Sequence, residues 1–342
     1  MISILTDTKA TPYAAEGQEV LALLRRKAPD ADVEAVLKRI QDQAAETGVA
    51  NPEVPSTDAY MTAICFIGSK SLSHVLSCIE RCRDYLGKLS QTSTAASSQI
   101  IESVIGYWAD HPGVAVNIVD KLLNYTIVTP EGVLWWALGR ASLGPGAPLA
   151  LHWRYEMVAA TMGKVTNRVR IIAAHLVVSS AGMAPEDREK VTEALREERT
   201  KMERLFEIIQ EAVAPIARGN SVAFVEAGFD DDVQHIVRAW ADRWLAVFAR
   251  KLAVELALVS DEAIQARIEI ADTERECKAK FEAEEQARIE KEEAEKAAKR
   301  EAELKAAEAA EAAAAAETNG DGQNGAVENH PAMDNLDVDE GV

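Results

Sequence analysis

Apolar residues recur three and four positions apart along almost the whole chain, and no long stretch alternates with the two-residue period of a strand. Capping residues, prolines and glycines divide this pattern into helix-length segments. Thr129-Pro130-Glu131, for example, combines an N-cap, a first-turn proline and an acid that suits the helix dipole. The spacing therefore predicts an all-α protein.

Short turns join consecutive helices in the first half of the chain. The turn Gly68-Ser-Lys-Ser71 separates two apolar helices, of which we expect the first to be capped by Ser56-Thr57-Asp58 and the second to carry one stripe from Leu72 to Leu86. Helices joined so closely pack most easily as antiparallel hairpins. Stacked hairpins of about 35–45 residues predict a HEAT/armadillo-like α-solenoid.

A heptad pattern distinguishes the segment at about 149–213. Its first helix carries apolar residues that step alternately by four and three positions, the a/d seam of a coiled coil. These are Leu151, Tyr155, Val158, Met162, Val165, Val169, Ile172 and Leu176. The period continues from Val191 to Ile209, interrupted by Glu198, and the connection between the two helices is short. We predict a long antiparallel coiled-coil hairpin with Val165 buried in its seam.

Composition changes sharply near the end of the chain. All eighteen aromatic residues lie at or before Phe281, and the 61 residues after it hold 18 acidic and 6 basic side chains, a net charge of −12 out of −19. Such a segment cannot build a core of its own, and its later part is typical of disorder. The predicted order is a disordered or linker segment at 1–16, a helical-repeat domain at 17–275, a solvated Glu/Ala/Lys-rich helix at 276–317 and a disordered acidic tail at 318–342.

Charge and composition exclude several classes of protein. The pI is about 4.8 and no basic cluster exceeds Arg25-Arg26-Lys27, so we expect no direct binding to DNA or RNA. No apolar run has the 18 or more residues that a membrane span needs, and the first residues lack the pattern of a secretory signal. Four cysteines without paired spacing suit a reducing compartment. We therefore expect a soluble intracellular protein.

No motif predicts a catalytic, cofactor or metal site. His74, Cys78 and Cys82 follow one another at helical spacing, but the outer two lie about 12 Å apart along a helix axis, too far to share one zinc ion. Gly144-Pro145-Gly146 lacks the Lys-Ser/Thr ending of a phosphate loop, and the chain has no G-x-S-x-G elbow. The prediction is a protein that is not an enzyme and needs no cofactor.

Two tryptophan pairs are candidates for base stacking. Trp135 and Trp136 are adjacent on a helix, so their rings point about 100° apart and cannot sandwich a base. Trp240 and Trp244 share a face of the helix that follows Asp230-Asp231-Asp232, at a spacing typical of core residues. We predict that both of the latter pack in the core.

Three motifs resemble one known family. They are Phe66-Ile-Gly-Ser-Lys-Ser-Leu-Ser-His74, Tyr107-Trp-Ala-Asp-His-Pro112 and Val119-Asp-Lys-Leu-Leu123. They look like the C-terminal helical-repeat domain in the large-subunit family of nuclear cap-binding complexes, which is related to the middle domain of translation initiation factor 4G. The resemblance runs from about Gly17 into the 260s. Because that family carries further helical domains before this one, the chain is expected to be a C-terminal fragment or truncated form.

The resemblance implies a function that composition does not. In that family the large subunit is a non-catalytic scaffold that holds and orders a small RNA-recognition-motif subunit, so capped RNA is bound only indirectly. It also serves as a platform for mRNA splicing, export and nonsense-mediated decay factors. The implied location is the nucleus, with shuttling to the cytoplasm allowed. The resemblance identifies no partner-binding residue in this chain and does not explain the Ala/Glu-rich tail after Arg288.

Two other classes of function remain open at this point. Solenoids serve many unrelated roles, so a translation-factor or vesicle-coat adaptor would have the same helical pattern. An enzyme with its site inside a helical bundle would need converging carboxylates or Cys/His groups, which a structure would reveal.

Overall fold

The computed structural model describes residues 12–139, 147–219 and 230–318, and within these ranges the chain forms helices and no strand. The all-α prediction is confirmed. Two compact units divide the chain, one extending to Ala271 and the other beginning at Asp272. The α-helices of the described residues are α1 (Ala14–Arg25), α2 (Asp30–Glu46), α3 (Glu53–Gly68), α4 (Leu72–Arg81), α5 (Arg83–Thr92), α6 (Thr94–Tyr107), α7 (Pro112–Asn124), α8 (Pro130–Leu138), α9 (His152–Ser179), α10 (Pro185–Ala217), α11 (Asp231–Val259) and α12 (Asp261–Thr318).

Helix α3 is the centre of the N-terminal half. It packs against α1, α2, α4 and α6, and every residue from Ser56 to Cys65 is buried. A helix that is buried on all sides must be enclosed by its neighbours, which explains why its sequence shows no polar face. The turn into α4 is so close that a Cβ on Gly68 would lie 2.3 Å from the Cα of Val75. This α3–α4 hairpin therefore requires glycine at that position.

Three boundaries differ from the sequence predictions. Helix α3 begins at Glu53, and the Ser56 hydroxyl donates to the Glu53 carbonyl inside the first turn instead of capping the helix. A proline in that first turn is tolerated because the early N–H groups have no helical partner. The stripe beginning at Leu72 is split at Cys82, where α4 ends and α5 begins. Helix α1 starts within the predicted linker, at Ala14, whereas residues 1–11 lie outside the described residues.

Helices α9 and α10 form the antiparallel hairpin that the heptads predict. The Arg188 guanidinium donates to the Ser180 carbonyl beside the turn, and farther along the hairpin the Arg168 Nε lies 2.9 Å from Glu198 Oε2. The sequence separation between paired residues therefore grows with distance from the turn, as it does in two antiparallel helices.

The buried face of α9 is wider than a two-stranded seam. Val165 and Ile172 are only half-buried, so the prediction of a fully buried Val165 is wrong. The reason is that α9 packs against α7, α8, α10 and α11 together, which encloses more of its circumference than one partner would. Its buried residues are Arg154, Met157, Val158, Thr161, Met162, Thr166, Val169, Ala173, Leu176 and Val177.

Helix α11 packs against α10 and α9 through one heptad-spaced face. Trp244 is buried at 2% exposure and its ring meets Tyr155 edge-on at 5.1 Å, as predicted for a core residue. Trp240 is 41% exposed, so the prediction that it packs in the core is wrong. Positions 240 and 244 lie about 40° apart around a helix, enough to place one ring inside the contact and the other at its margin. The buried residues of α11 are Val237, Ala241, Trp244, Phe248, Glu255 and Val259.

The last helix has two different environments. In the first unit, Ile264 and Ile268 of α12 are buried in the core. In the second unit, every side chain described from 276 to 314 is exposed. Local pairs such as Lys305 with Glu301, 2.7 Å apart, support a helix of this composition. The predicted acidic tail lies outside the described residues from 319 onward, as does the Gly144-Pro145-Gly146 break.

Candidate partner-docking surface

The three residues considered as zinc ligands serve the local packing of α4 and α5. His74 is exposed and its Nδ1 lies 2.9 Å from the hydroxyl of Ser71, the N-cap of α4. Cys82 is buried at the helix break, and burial raises the pKa of the half-buried Cys78 thiol. Among the residues that the structure describes, no group of three or more His, Cys, Asp or Glu side chains could hold a metal ion.

The adjacent tryptophans of α8 face different environments, as their spacing predicts. Trp135 is exposed and its indole N–H lies 3.3 Å from Glu131, whereas Trp136 is buried and donates to Glu102 at 2.9 Å. The two rings therefore cannot enclose a base together.

A buried arginine connects α8 to α9. The Arg154 guanidinium donates to the Ala137 carbonyl at 2.9 Å and lies over the rings of Trp136 and Trp153, at 4.6 and 5.1 Å from their centroids. Burial lowers the pKa of Arg154, an effect opposed by the nearby charge of Glu102. All of these partners belong to the protein itself, so the cluster fixes the packing of the two helices and offers no open ligand site.

A buried carboxylate connects α3 to α6. Asp58 Oδ1 accepts from Ser103 Oγ at 2.7 Å, from Gln99 Nε2 at 3.2 Å and from Thr62 Oγ1 at 3.3 Å. The adjoining cavity has a volume of about 80 Å³, enough for a few water molecules but not for a substrate. Sequence reasoning misses this cluster because Asp58 follows Ser56-Thr57, a pattern typical of a helix N-cap.

A groove of about 570 Å³ runs between the start of α8 and the middle of the α9–α10 hairpin. Glu198, the residue that interrupts the heptads of α10, binds Arg168 and Lys201 there, each at 2.9 Å. The half-buried Val165 lines the same groove. Its charges are largely neutralised within the protein, so the groove has no strong preference for a charged ligand.

A row of exposed apolar residues follows the outer face of α11, and we call it the α11 stripe. Each of its five members is between 41% and 53% exposed, although they are large apolar side chains. The members are Ile236, Trp240, Val247, Val254 and Leu258. They step by four, seven, seven and four positions over six helical turns, about 33 Å. Large apolar side chains exposed along one helix face in this way are typical of a binding site.

Basic residues occupy the remaining positions of the α11 stripe. Arg243 and Arg250 fill the heptad positions between the apolar members, and the Arg243 guanidinium lies 5.5 Å from the centre of the Trp240 ring. Lys251 borders the same face. Among the ion pairs of the described residues, none involves these three cations.

The acids of α11 lie elsewhere. Between positions 236 and 258, the only acids of α11 are Asp242, well off the stripe, and Glu255, buried on the adjacent face. A signal for the stripe was present in the sequence, because α11 has more apolar positions than one buried face can hold.

Among the described residues, no helix is both long and apolar enough to cross a membrane.

Comparison with known proteins gives a family match over most of the chain. The family model described as MIF4G like matches residues 6–257. Among curated relatives, nuclear cap-binding protein subunit 1 of Schizosaccharomyces pombe is 23% identical over 190 residues, which are 55% of this chain and 23% of the relative.

Two further relatives carry the same name. Those of Anopheles gambiae and Aedes aegypti are each 27% identical, over 165 and 171 residues, or 46% and 48% of this chain. The matched region makes up only 20% of each of these two relatives.

Proposed function

The chain belongs to the MIF4G-like family, and from that membership we propose that it is a non-catalytic scaffold subunit of a nuclear mRNA cap-binding complex. In this proposal it holds and orders a small RNA-recognition-motif subunit, and capped RNA reaches it only through that subunit. Its helical surfaces serve as a platform for mRNA processing, export and decay factors, and its place of action is the nucleus.

The observation that carries the proposal is the name shared by the relatives. Three of them are called nuclear cap-binding protein subunit 1, and each match spans about half of this chain. These names favour a cap-binding scaffold over a translation-factor or coat adaptor, both of which would be compatible with a helical-repeat fold.

The chemistry of the described surface agrees with a scaffold role. Its buried polar clusters, around Asp58 and Arg154, bond to the protein's own groups and join helices. Its open features are a groove and an apolar stripe, which suit protein partners. A net charge of −19 repels RNA phosphates, so contact with RNA through a second subunit is the more favourable arrangement.

The proposal is tested by co-expression with a small RNA-recognition-motif cap-binding subunit, followed by retention on methylguanosine resin. We expect the chain to be retained with that subunit and to pass through the resin when expressed alone. An RNA-recognition-motif protein that does not bind caps is the matched control and should retain nothing.

A second arm addresses the short match to the relatives. In it, this chain replaces the matched region of the Schizosaccharomyces pombe relative, so that the rest of that protein is present. Failure of both the chain and the chimera to be retained with the small subunit would contradict the proposal. Retention of the chain without the small subunit would show that this chain itself recognises the cap, which would contradict the proposal that the small subunit does so.

A further inference from the structure

We propose that the α11 stripe is a docking site for an acidic amphipathic helix of a partner protein. This proposal does not depend on the proposal that the chain holds a small RNA-recognition-motif subunit, and the two are tested by separate experiments. The inference starts from the sequence of α11, which has two heptad-spaced apolar faces where a surface helix needs only one.

The geometry of the stripe matches a helix and not a compact ligand. The stripe residues run along six turns of one helix, with Arg243 and Arg250 completing an alternation of four- and three-residue steps from Ile236 to Val254. This is the spacing of an a/d seam, whose side chains form holes for the knobs of a second helix. No cavity is needed, because the partner would bury the stripe by lying alongside it.

The buried face of α11, which adjoins the stripe, holds the stripe in place. Trp244 and Phe248 are buried against α9 and α10, and Glu255 binds Arg170 of α9 with two hydrogen bonds of 2.7 Å. A helix fixed in this way presents its outer side chains without having to order on binding, which lowers the entropic cost of docking.

Charge identifies the kind of helix that fits. Arg243, Arg250 and Lys251 place three positive charges on or beside the apolar seam, with no acid among them. In helix pairs, residues that flank the seam select partners of opposite charge. A partner helix with Glu or Asp beside its own apolar positions would therefore bind, and a basic one would be repelled.

A second copy of this chain fits less well. In a parallel pair of α11 helices, Arg243 and Arg250 would each face their own copies. In an antiparallel pair centred on the stripe, Arg243 would approach Arg250 and Lys251 of the other copy. Both arrangements bring like charges together without a compensating acid, which disfavours the contact.

Anionic surfaces also fit less well. The broad apolar face of α11 is already buried inside the protein, so only a narrow seam is left for insertion into a bilayer. The net charge of −19 opposes approach to lipid headgroups or RNA phosphates. A protein helix can place its acids beside the three cations and avoid the rest of the acidic surface.

The test uses the full chain and a fluorescent four-heptad peptide with apolar a and d positions and Glu at e and g. A second peptide with Lys at e and g is the charge control. Fluorescence anisotropy should show binding of the Glu peptide at least about tenfold tighter than binding of the Lys peptide. The affinity for the Glu peptide should fall as salt is added.

Surface variants connect this binding to the stripe. Val247→Asp should weaken the Glu peptide at least about tenfold, and the double variant Arg243→Glu/Arg250→Glu should reverse the preference between the two peptides. Ala253→Asp, an exposed position of α11 outside the stripe, is the matched control and should change the affinity less than about threefold. Unchanged melting curves would show that the variants fold.

Several results would overturn the inference. They are equal affinity for the two peptides, no binding of the Glu peptide, and binding that Val247→Asp leaves unchanged. A concentration-dependent dimer that Val247→Asp abolishes would assign the stripe to a second copy. Binding to anionic phosphatidylserine vesicles or to uncapped RNA, with none to the Glu peptide, would assign it to a different class of ligand.

Discussion

An ion pair between Arg170 and Glu255 connects the hairpin to α11. Both Glu255 carboxylate oxygens accept hydrogen bonds from the Arg170 guanidinium at 2.7 Å. The Glu255 side chain is 4% exposed, whereas that of Arg170 is 47% exposed. Replacing Arg170 by Ala would leave a buried carboxylate without its partner, and the protein would have to bury that charge uncompensated.

The size of the effect follows from these exposures. Breaking a fully buried pair costs about 3–5 kcal/mol, and breaking an exposed one about 0–1 kcal/mol. Water can enter the space left by the half-exposed arginine, so we expect Arg170→Ala to lower the free energy of unfolding by about 2–3 kcal/mol. For a unit of this size, that corresponds to a fall in Tm of about 4–12 °C.

The assay is thermal and urea unfolding followed by circular dichroism. Arg196→Ala is the matched control, because Arg196 forms an exposed pair with Glu193 on the same hairpin and should change stability by at most about 0.5 kcal/mol. The double variant Arg170→Met/Glu255→Leu should recover most of the loss, since it removes both charges together. If Arg170→Ala melts like Arg196→Ala, the pair does not hold α11 to the hairpin.

Three further predictions concern the core, the thiols and the cap. Val169→Asp should lower the free energy of unfolding by about 3–5 kcal/mol because Val169 is fully buried, whereas Val165→Asp should lower it by about 1 kcal/mol. Equal losses of the two variants in urea unfolding would contradict the burial pattern of α9. Burial raises the pKa of Cys65 to about 12, so at pH 8 only about one thiol in ten thousand is ionised. A colorimetric thiol reagent should therefore modify the exposed Cys277 quickly and Cys65 only after unfolding, and rapid reaction of Cys65 in the folded protein would refute this. Titration of the isolated chain with a fluorescent methylated cap analogue should show no binding at micromolar concentrations, and saturation there would contradict indirect RNA contact.

Capping and helix-breaking residues predicted the start of a helix correctly where both occur at the same boundary. Thr129 accepts from the N–H of Gly132, and Asp230 accepts from the N–H of Val233, as their positions before apolar stripes indicate. The same rules failed at Ser56-Thr57-Asp58, because Ser56 and Asp58 bond to side chains on other helices, Gln41 and Ser103 respectively. Hydrogen bonds between residues some forty positions apart, such as that from Ser103 to Asp58, leave no local signal.

Periodicity identified the long helices but not which side of each one is buried. On α11 the apolar residues cover two adjacent faces, and spacing alone could not separate the buried Trp244 from the exposed Trp240. On α9, the number of packing neighbours decided that Val165 lies at a margin. The candidate docking surface was missed for the same reason, since exposed apolar residues look like core residues until the neighbours of the helix are known.

The pairing of Arg170 with Glu255 also has a meaning for the order in which the chain is made. The two residues lie 85 positions apart, so a ribosome working at about 5–20 residues per second produces Glu255 about 4–17 s after Arg170. During that interval α9 and α10 can close on each other, but the surfaces that receive Trp244 and Phe248 remain uncovered. The nascent hairpin then exposes an apolar surface that is prone to aggregation. Chaperone binding to the nascent chain should therefore be strongest in the seconds before α11 leaves the exit tunnel.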